Sequence, residues 1–259
     1  MMENTGERER LIRDLERTNQ ELQQFAYIVS HDLKAPLRAI HSLVQWIAED
    51  YGPLFDDDGR EQLDLLQGRV RRMDQLIEGV LHYSRIGRIR EEMVPVNLNK
   101  LVTEVIDLLA PPAHIAVRVV TRLPVVVCEK VRMSQVFQNL ISNAIKFLDK
   151  PRGEIVITCV EEETVYRFGV QDNGPGIAAK DHERIFQIFQ TLHAGDAYGS
   201  TGIGLTLVKK IVELHGGQIR VCSPPPGPPA DGEQAVQPVV GTLFEFTLPR
   251  TPVQVVGDD

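Results

Sequence analysis

A histidine directly followed by an aspartate is the first feature of this chain that could do chemistry. His31 and Asp32 lie in the segment SHDLKAPLR, which spans residues 30–38. A neutral imidazole nitrogen is a usable nucleophile near neutral pH, and an adjacent carboxylate can orient the ring and accept its proton. The pair alone could also be an exposed histidine beside a solvated charge, so its meaning depends on the rest of the chain.

A pair of asparagines in the second half has the spacing of one helical face. Asn139 and Asn143 are four residues apart in the segment VRMSQVFQNLISNAIKF, which ends with Lys146 and Phe147. On a helix both amides would lie on the same side, where amide oxygens can meet Mg²⁺ and nearby phosphate. Isolated asparagine pairs on helices usually mean little, so this pair gains weight from the two glycine segments that follow.

The first glycine segment, DNGPG, combines a carboxylate with a tight turn. Asp172 follows an apolar stretch, with Gly174 and Gly176 just after it. A carboxylate here can accept a hydrogen bond from the amino group of adenine, whereas the keto oxygen of guanine would face it without a donor. The glycines permit a tight backbone turn beside the nucleotide. A plain hairpin turn is the alternative, and the spacing to Asn143 and Gly202 argues against it.

The second glycine segment, STGIGL, precedes a helical pattern. Gly202, Gly204 and Leu205 would open this helix, and free backbone N–H groups at a helix start favour phosphate. The Thr201 hydroxyl can donate to phosphate as well. Together these segments predict a site for ATP and Mg²⁺.

The helix that must position His31 is predicted by an apolar stripe. The stripe alternates in steps of four and three and then takes two successive four-residue steps around His31. Its members are Leu11, Leu15, Thr18, Leu22, Phe25, Val29, Leu33, Leu37, Ile40, Val44 and Ile47. At about 100° per residue, His31 lies about 200° from both Val29 and Leu33, so its ring is predicted to be exposed.

A turn-rich segment, residues 51–59, ends this helix, and a second stripe through residues 63–84 predicts an antiparallel partner helix. A lone helical hairpin leaves much of its apolar stripe in water. A homodimer that forms a four-helix bundle is therefore expected. Packing of the hairpin on the second half of its own chain is the alternative.

From Val94 the pattern changes to mixed helices and strands, which indicates an α/β sandwich. Helices are predicted at 98–109, 131–148 and 202–215, and strands at 125–128, 154–161, 165–171, 218–222 and 242–248. The predicted fold class is therefore multidomain, α and α+β, with a dimeric helical hairpin followed by an α/β-sandwich domain.

The net charge and the cysteine content indicate which partners and which cellular compartment to expect. The net charge of −8 gives no general attraction to nucleic acid or to an anionic membrane, and three widely spaced cysteines fit a reducing cytoplasm. The charged start lacks the apolar core of a signal peptide, and no run approaches the roughly 18 apolar residues of a membrane span. We expect a cytoplasmic protein with no direct membrane span, whose sensor is a partner or a domain outside this chain.

Taken in order, the motifs resemble the transmitter region of two-component sensor histidine kinases, from about Leu11 to Pro249. The segments FAYIVSHDLKAPLRAI and GIGLTLVKKIVELHGGQI are most similar to the phytochrome-like branch. The resemblance implies that ATP phosphorylates His31 and that the phosphoryl group then passes to an aspartate on the receiver domain of a response regulator. It also implies that Asp32 orients the imidazole.

The resemblance also assigns roles in the ATP site and divides the chain. Asn143 is implied to bind Mg²⁺, Asn139 to lie near the nucleotide, Lys146 to contact phosphate, and Phe147 to lie beside the base or sugar. The implied divisions are an N-terminal signalling helix (1–24), a dimerisation and histidine phosphotransfer domain (25–86), a linker (87–96), an ATP-binding catalytic domain (97–250) and a tail (251–259).

Two other functions compete with this interpretation. An ATPase related to type II topoisomerases and heat-shock chaperones would have the same nucleotide site but would transfer phosphate to water and lack the SHDLKAP hairpin. A dimeric interaction module would have a degenerate ATP site, which Asn143, Lys146 and Asp172 argue against.

Two positions depart from the family pattern. Ser200 and Thr201 precede Gly202 where many members have alternating glycines, which could reduce activity. Ala35, four residues after His31, stands where phosphatase-competent relatives commonly have Thr or Asn. Because a methyl group cannot place a water molecule, weak phosphatase activity is expected.

Overall fold

The structure is a computed structural model that describes residues 3–86, 92–192, 201–225 and 241–250, with side chains described only in part before residue 24. Its contacts divide the chain into two compact units. The helical unit comprises Met1–Ile89 with Gly195–Ile203, and the α/β unit comprises Arg90–Ala194 with Gly204–Asp259.

The helical unit is built on a hairpin of two long helices. Helix α1 is Glu3–Tyr51 and helix α2 is Asp57–Arg85, joined through a short 3-10 turn at Gly52–Leu54. The side chain of Asp56 accepts a hydrogen bond from the Gly59 N–H at 2.9 Å, which caps the start of α2. The predicted hairpin is therefore confirmed.

Within one chain, the hairpin buries only part of the apolar stripe. Ser30, Leu37 and Val44, spaced seven residues apart on α1, are each about 4% exposed. A second line beside them, which we call the exposed line, stays in contact with solvent and consists of Val29, Leu33, Ile40 and Ile47. Part of the stripe before Phe25 lies among side chains outside the described set. Of the seven stripe residues from Phe25 to Ile47, one chain thus buries only Leu37 and Val44.

The α/β unit contains a five-stranded sheet in the order β2-β4-β5-β7-β6 and a two-stranded sheet of β1 and β3. Only the β2–β4 pair is parallel among the strands that the structure describes. The strands are β1 (Met93–Asn97), β2 (Ile115–Val119), β3 (Val125–Glu129), β4 (Gly153–Glu161), β5 (Val165–Asp172), β6 (Ile219–Cys222) and β7 (Thr242–Pro249). The helices are α3 (Leu98–Leu109), α4 (Lys130–Phe147) and α5 (Gly204–Leu214).

The core of this unit lies between the helices and one face of the larger sheet. Phe137 of α4 meets Phe246 of β7 edge to face at 5.6 Å between ring centroids, and Phe246 stacks on Phe168 of β5 at 4.9 Å. Alternate residues of β4, such as Ile155 and Ile157, are fully buried against the same cluster of helices. The predicted sandwich is confirmed, and α4 and β5 are the elements that carry most of the candidate nucleotide site.

Two strands were not predicted. Strand β1 begins inside the predicted linker 87–96 and pairs with β3, so regular structure starts earlier than expected. Pro95 in its middle hides the strand pattern, yet it is tolerated because a strand of a two-stranded sheet has one unpaired edge. Strand β2 consists of only five residues between irregular segments, which gives periodicity little to act on.

Candidate functional site

His31 stands on α1 with its ring in solvent, as the periodicity predicts. Its side chain is 72% exposed, and Nδ1 lies 3.3 Å from Oδ1 of Asp32. Because an ionised carboxylate can only accept a hydrogen bond, the neutral form of His31 that makes this contact carries its proton on Nδ1 and its lone pair on Nε2. In this tautomer Nε2 is the ring atom that can act as a nucleophile, and the Asp32 carboxylate is a group that can accept the Nδ1 proton.

An ion pair missed by the sequence reasoning joins the two helices one turn below His31. Lys34 of α1 bonds to the carboxylate of Glu78 on α2, and His82 lies 3.5 Å from the other oxygen of Glu78. The hydrogen bond from Lys34 holds the pKa of Glu78 below its ordinary value, against the opposing effect of burial. The contact fixes α1 against α2 beside His31. No local sequence signal reveals it, because the partners are 44 residues apart.

Asp172, at the end of β5, divides its two carboxylate oxygens between different tasks. Oδ1 accepts the Gly174 N–H at 2.8 Å and the Thr242 N–H at 3.2 Å. Within the described ranges, no donor is bonded to Oδ2, so this oxygen is available to a ligand. Burial raises the pKa of Asp172, while the two N–H donors and the charge of Lys150 act in the opposite direction. The arrangement fits recognition of an exocyclic amino group such as that of adenine.

The glycines after Asp172 are required by close approaches. A Cβ on Gly174 would lie 2.9 Å from Asp172 Oδ1 and 3.4 Å from the backbone oxygen of Phe147. Gly176 has a φ of +84°, and a Cβ there would lie 2.9 Å from the Ser223 hydroxyl. That hydroxyl accepts the Ile177 N–H at 2.8 Å, which holds the turn in place.

Helix α4 touches both glycine segments. A Cβ on Gly204, the first residue of α5, would lie only 2.7 Å from Oδ1 of Asn139. Eight residues later, the Phe147 carbonyl faces Gly174. At 1.5 Å per residue these two contacts are about 12 Å apart along α4. The helix therefore links the carboxylate that fits a base with the helix start that fits phosphate.

Asn143 and Lys146 lie between these two contacts, and both are half-buried. Burial lowers the pKa of Lys146, whose Nζ lies 5.8 Å from the centroid of the Phe147 ring. The described residues contain no group of three or more His, Cys, Asp or Glu that could hold a metal ion. A Mg²⁺ ion bound here would therefore need phosphate oxygens and water for most of its ligands, which is the way Mg²⁺ usually binds with nucleotides.

The remaining predicted site residues lie at the start of α5 or just before it. Leu205 is half-buried in the first turn of α5, and Gly202 has a φ of +69°, a conformation that favours glycine. Thr201 and Gly202 are grouped with the helical unit, so the α/β unit by itself supplies Gly204 and Leu205 at this end. Ser200 lies outside the described residues. Thr242 was missed because it contributes a backbone N–H, which sequence does not reveal.

Two family models match the chain in the order of its two units. A His Kinase A (phospho-acceptor) domain matches residues 21–89. A histidine kinase-, DNA gyrase B- and HSP90-like ATPase matches residues 128–252. The first match contains His31, and the second contains all the residues discussed around Asn139, Asp172 and Gly204. In the described part of the chain, no helix has the length and apolarity to cross a membrane.

Individual relatives agree with these matches. Cyanobacterial phytochrome B of Nostoc sp. is 43% identical over 240 residues, which cover 91% of this chain and 30% of that protein. The methanogenesis regulatory histidine kinase FilI of Methanothrix harundinacea is 32% identical over 248 residues, which cover 94% of this chain and 26% of that protein. The chain thus spans less than a third of the length of these relatives.

A solved structure has a similar fold. Full-length ShkA in complex with AMPPNP superposes with a TM-score of 0.63 at 25% identity, over 87% of this chain and 45% of that one. A phospho-acceptor domain followed by an ATPase domain of this class, with histidine kinases among the relatives, shows that the chain belongs to the histidine kinase family, as a transmitter region similar to those of phytochrome-like proteins.

Proposed function

We propose that this chain binds Mg·ATP in its α/β unit, phosphorylates its own His31 on Nε2, and then passes the phosphoryl group to an aspartate on the receiver domain of a response regulator. The observation that carries the proposal is the exposed His31 with its Nδ1 proton directed to Asp32. This leaves Nε2 as a lone-pair nucleophile in solvent, where a phosphoryl donor can reach it.

The reaction at His31 balances with the groups present. Nε2 attacks the γ-phosphorus, the bond from that phosphorus to the bridging oxygen breaks, and ADP leaves with the electron pair. The ring would become a cation, and Asp32 relieves this charge by accepting the Nδ1 proton. The transition state for such transfers is loose, so positioning and charge stabilisation supply most of the catalysis.

In the α/β unit each residue has a distinct task towards ATP. Asp172 Oδ2 accepts a hydrogen bond from the adenine amino group, and Phe147 lies beside the base or sugar. The N–H groups at the start of α5 and the Lys146 ammonium hold the phosphates. Mg²⁺ on Asn143 would neutralise charge on the β- and γ-phosphates.

The second transfer is proposed by analogy. Histidine kinase ThkA, which has this fold, is known in complex with the response regulator protein TrrA. A receiver aspartate would attack the phosphorus of phospho-His31 and leave the imidazole free for another cycle. The methyl group of Ala35 is exposed on the same helix and offers no polar atom to place a hydrolytic water. Weak phosphatase activity is therefore part of the proposal.

A homodimer is proposed as the working form. The exposed line on α1 lies next to the buried line Ser30, Leu37 and Val44, so a second hairpin can cover it and complete a four-helix bundle. On α2, Leu66 and Met73 are also exposed and can join the same interface. The input signal would come from a sensor domain or partner beyond this chain.

The decisive test is incubation with γ-labelled ATP and Mg²⁺, followed by acid and base treatment of the labelled protein. The wild-type chain should gain an acid-labile, base-stable label that His31→Gln abolishes. His41→Gln, which alters another histidine of α1, is the matched control and should label normally. Release of labelled phosphate without labelled protein would instead identify a water-using ATPase. In a mixture of His31→Gln and Asn143→Ala chains, label can appear only if transfer crosses the dimer.

A further inference from the structure

Three side chains of the helical unit form a stack that ends at His31. Tyr27 lies one turn before His31 on α1, so the two side chains share a helix face. Their ring centroids are 6.5 Å apart with an interplanar angle of 26°. From α2, the guanidinium carbon of Arg85 lies 5.6 Å from the centroid of the Tyr27 ring. These distances fall within the range of aromatic and cation–π contacts.

An exposed histidine needs such a neighbour if it is to react efficiently. With 72% of the side chain in solvent, little core packing restrains the imidazole, and every conformer that turns Nε2 away from the donor is unproductive. Asp32 restrains the ring through Nδ1, but at 3.3 Å this single contact fixes one atom rather than the ring plane. A near-parallel aromatic ring supplies the second restraint.

The contact with Arg85 restrains the Tyr27 ring. Tyr27 is 37% exposed and would otherwise be free to turn. The guanidinium comes from the opposite helix, at the last residue of α2, where the chain leaves the hairpin. The carboxylate of Glu78 lies close enough to Arg85 for the positive charge of the arginine to lower the pKa of Glu78. The negative charge of Glu78 in turn attracts the guanidinium of Arg85. The contact therefore ties the end of α2 to the plane of the His31 ring.

We propose that Tyr27 is a positioning residue for phosphoryl transfer to His31, and that Arg85 holds it in place. The proposal rests on the proposed function, since it concerns the same nucleophile. It requires the aromatic ring of Tyr27 and the planar guanidinium of Arg85, and it does not require the Tyr27 hydroxyl.

The test compares four variants by kinetics of labelling from γ-labelled ATP. Tyr27→Phe keeps the ring and should label at the wild-type rate. Tyr27→Leu and Arg85→Gln should lower kcat about tenfold with the KM for ATP unchanged, because a misoriented nucleophile loses attack geometry while the ATP site is untouched. Arg85→Lys should give an intermediate rate, since it retains the charge without the plane. Tyr51→Leu, at an exposed position near the end of α1, is the matched control.

A nuclear Overhauser cross-peak between the ring protons of Tyr27 and His31 provides a readout that does not depend on activity. Circular dichroism serves as the folding control. The peak should be present in the wild-type chain, persist between the substituted ring and His31 in the Tyr27→Phe variant, and weaken in Arg85→Gln. Absence of the peak in the wild type, or wild-type kcat in folded Tyr27→Leu, would overturn the positioning role. A chain that shows the peak but never labels would instead refute the proposed kinase function.

Discussion

Gly204 of α5 approaches Asn139 of α4 so closely that a Cβ on the glycine would lie 2.7 Å from the amide oxygen. The amide cannot swing away without loss, because its Nδ2 donates to the Gln135 carbonyl at 2.8 Å. The start of α5, which faces the proposed phosphates, is thus held against the first asparagine of α4 by a contact that only glycine permits.

The Gly204→Ala change should weaken ATP binding by about 1–3 kcal/mol, which is roughly 5- to 150-fold, because the added methyl displaces Asn139 and the first turn of α5 together. Calorimetric titration with ATP and Mg²⁺ measures the loss. Gly68→Ala is the control: a Cβ there meets nothing within 4 Å, so binding should be unchanged. Equal affinity in both variants would show that the close contact has no bearing on the nucleotide.

Replacing Asp172 by Asn tests the division of its two oxygens. The asparagine can still accept the N–H groups of Gly174 and Thr242, but it places an NH₂ group at the position from which Oδ2 is proposed to accept the adenine amino group. Two donors then oppose each other, which should cost about 1–3 kcal/mol of ATP affinity while the melting temperature changes little. Affinities for ATP and GTP, measured by titration, should differ widely in the wild type and converge in the variant. A retained preference for ATP would exclude Asp172 as the base-recognition group.

The contact between Lys34 and Glu78 predicts a pH dependence. Because the folded-state pKa of Glu78 is lowered, its stabilising contribution is present above the ordinary value of 4.5 and is lost as pH falls through the lowered value. The melting temperature of Glu78→Gln should therefore approach that of the wild type as pH drops below about 4.5. Glu49→Gln, exposed on α1, should show no such convergence. A wild-type-to-variant difference that stays constant across this pH range would contradict the assignment.

The exposed line predicts the effect of a charge at the proposed dimer interface. Ile40→Glu would place a carboxylate in the middle of this line and should shift the chain from dimer to monomer, as measured by light scattering at micromolar concentration. Trp46→Glu makes the same kind of change at a residue that is 59% exposed on another side of α1, so that variant should remain dimeric. A monomeric wild-type chain would argue that something other than a second copy covers the line.

Ala35→Thr should raise the rate at which a phosphorylated receiver domain loses its phosphate, since a hydroxyl on this exposed turn can orient water. The rate is followed by loss of label from the receiver with ADP and the kinase variant present. Ala35→Val, which has a similar shape without the hydroxyl, is the control. If the wild-type chain already dephosphorylates the receiver rapidly, the residue four positions after His31 does not limit this reaction here.

Sequence patterns were most informative where a feature repeats locally. The exposure of His31 follows from a stripe that extends on both sides of it, and α4 and β5 follow from runs long enough to show their period. Strand β1 was missed because Pro95 interrupts its pattern, whereas β2 was missed although it is as long as β3, which was predicted. Contacts such as Lys34 with Glu78, or Thr242 with Asp172, join residues that are 44 and 70 positions apart, and no local pattern encodes such distances.

The second half of α4 sets the distance between the two glycine segments. Asn139 meets Gly204 and Phe147, eight positions later, meets Gly174, so this half of the helix determines the span that a ligand of both segments would have to fit. Inserting one residue would lengthen that span by only about 1.5 Å but would rotate everything beyond it by about 100°, which would carry Asn143 and Lys146 off the face they share with Asn139. Helix α4 should therefore accept many substitutions on its solvent side, yet no change in its residue count.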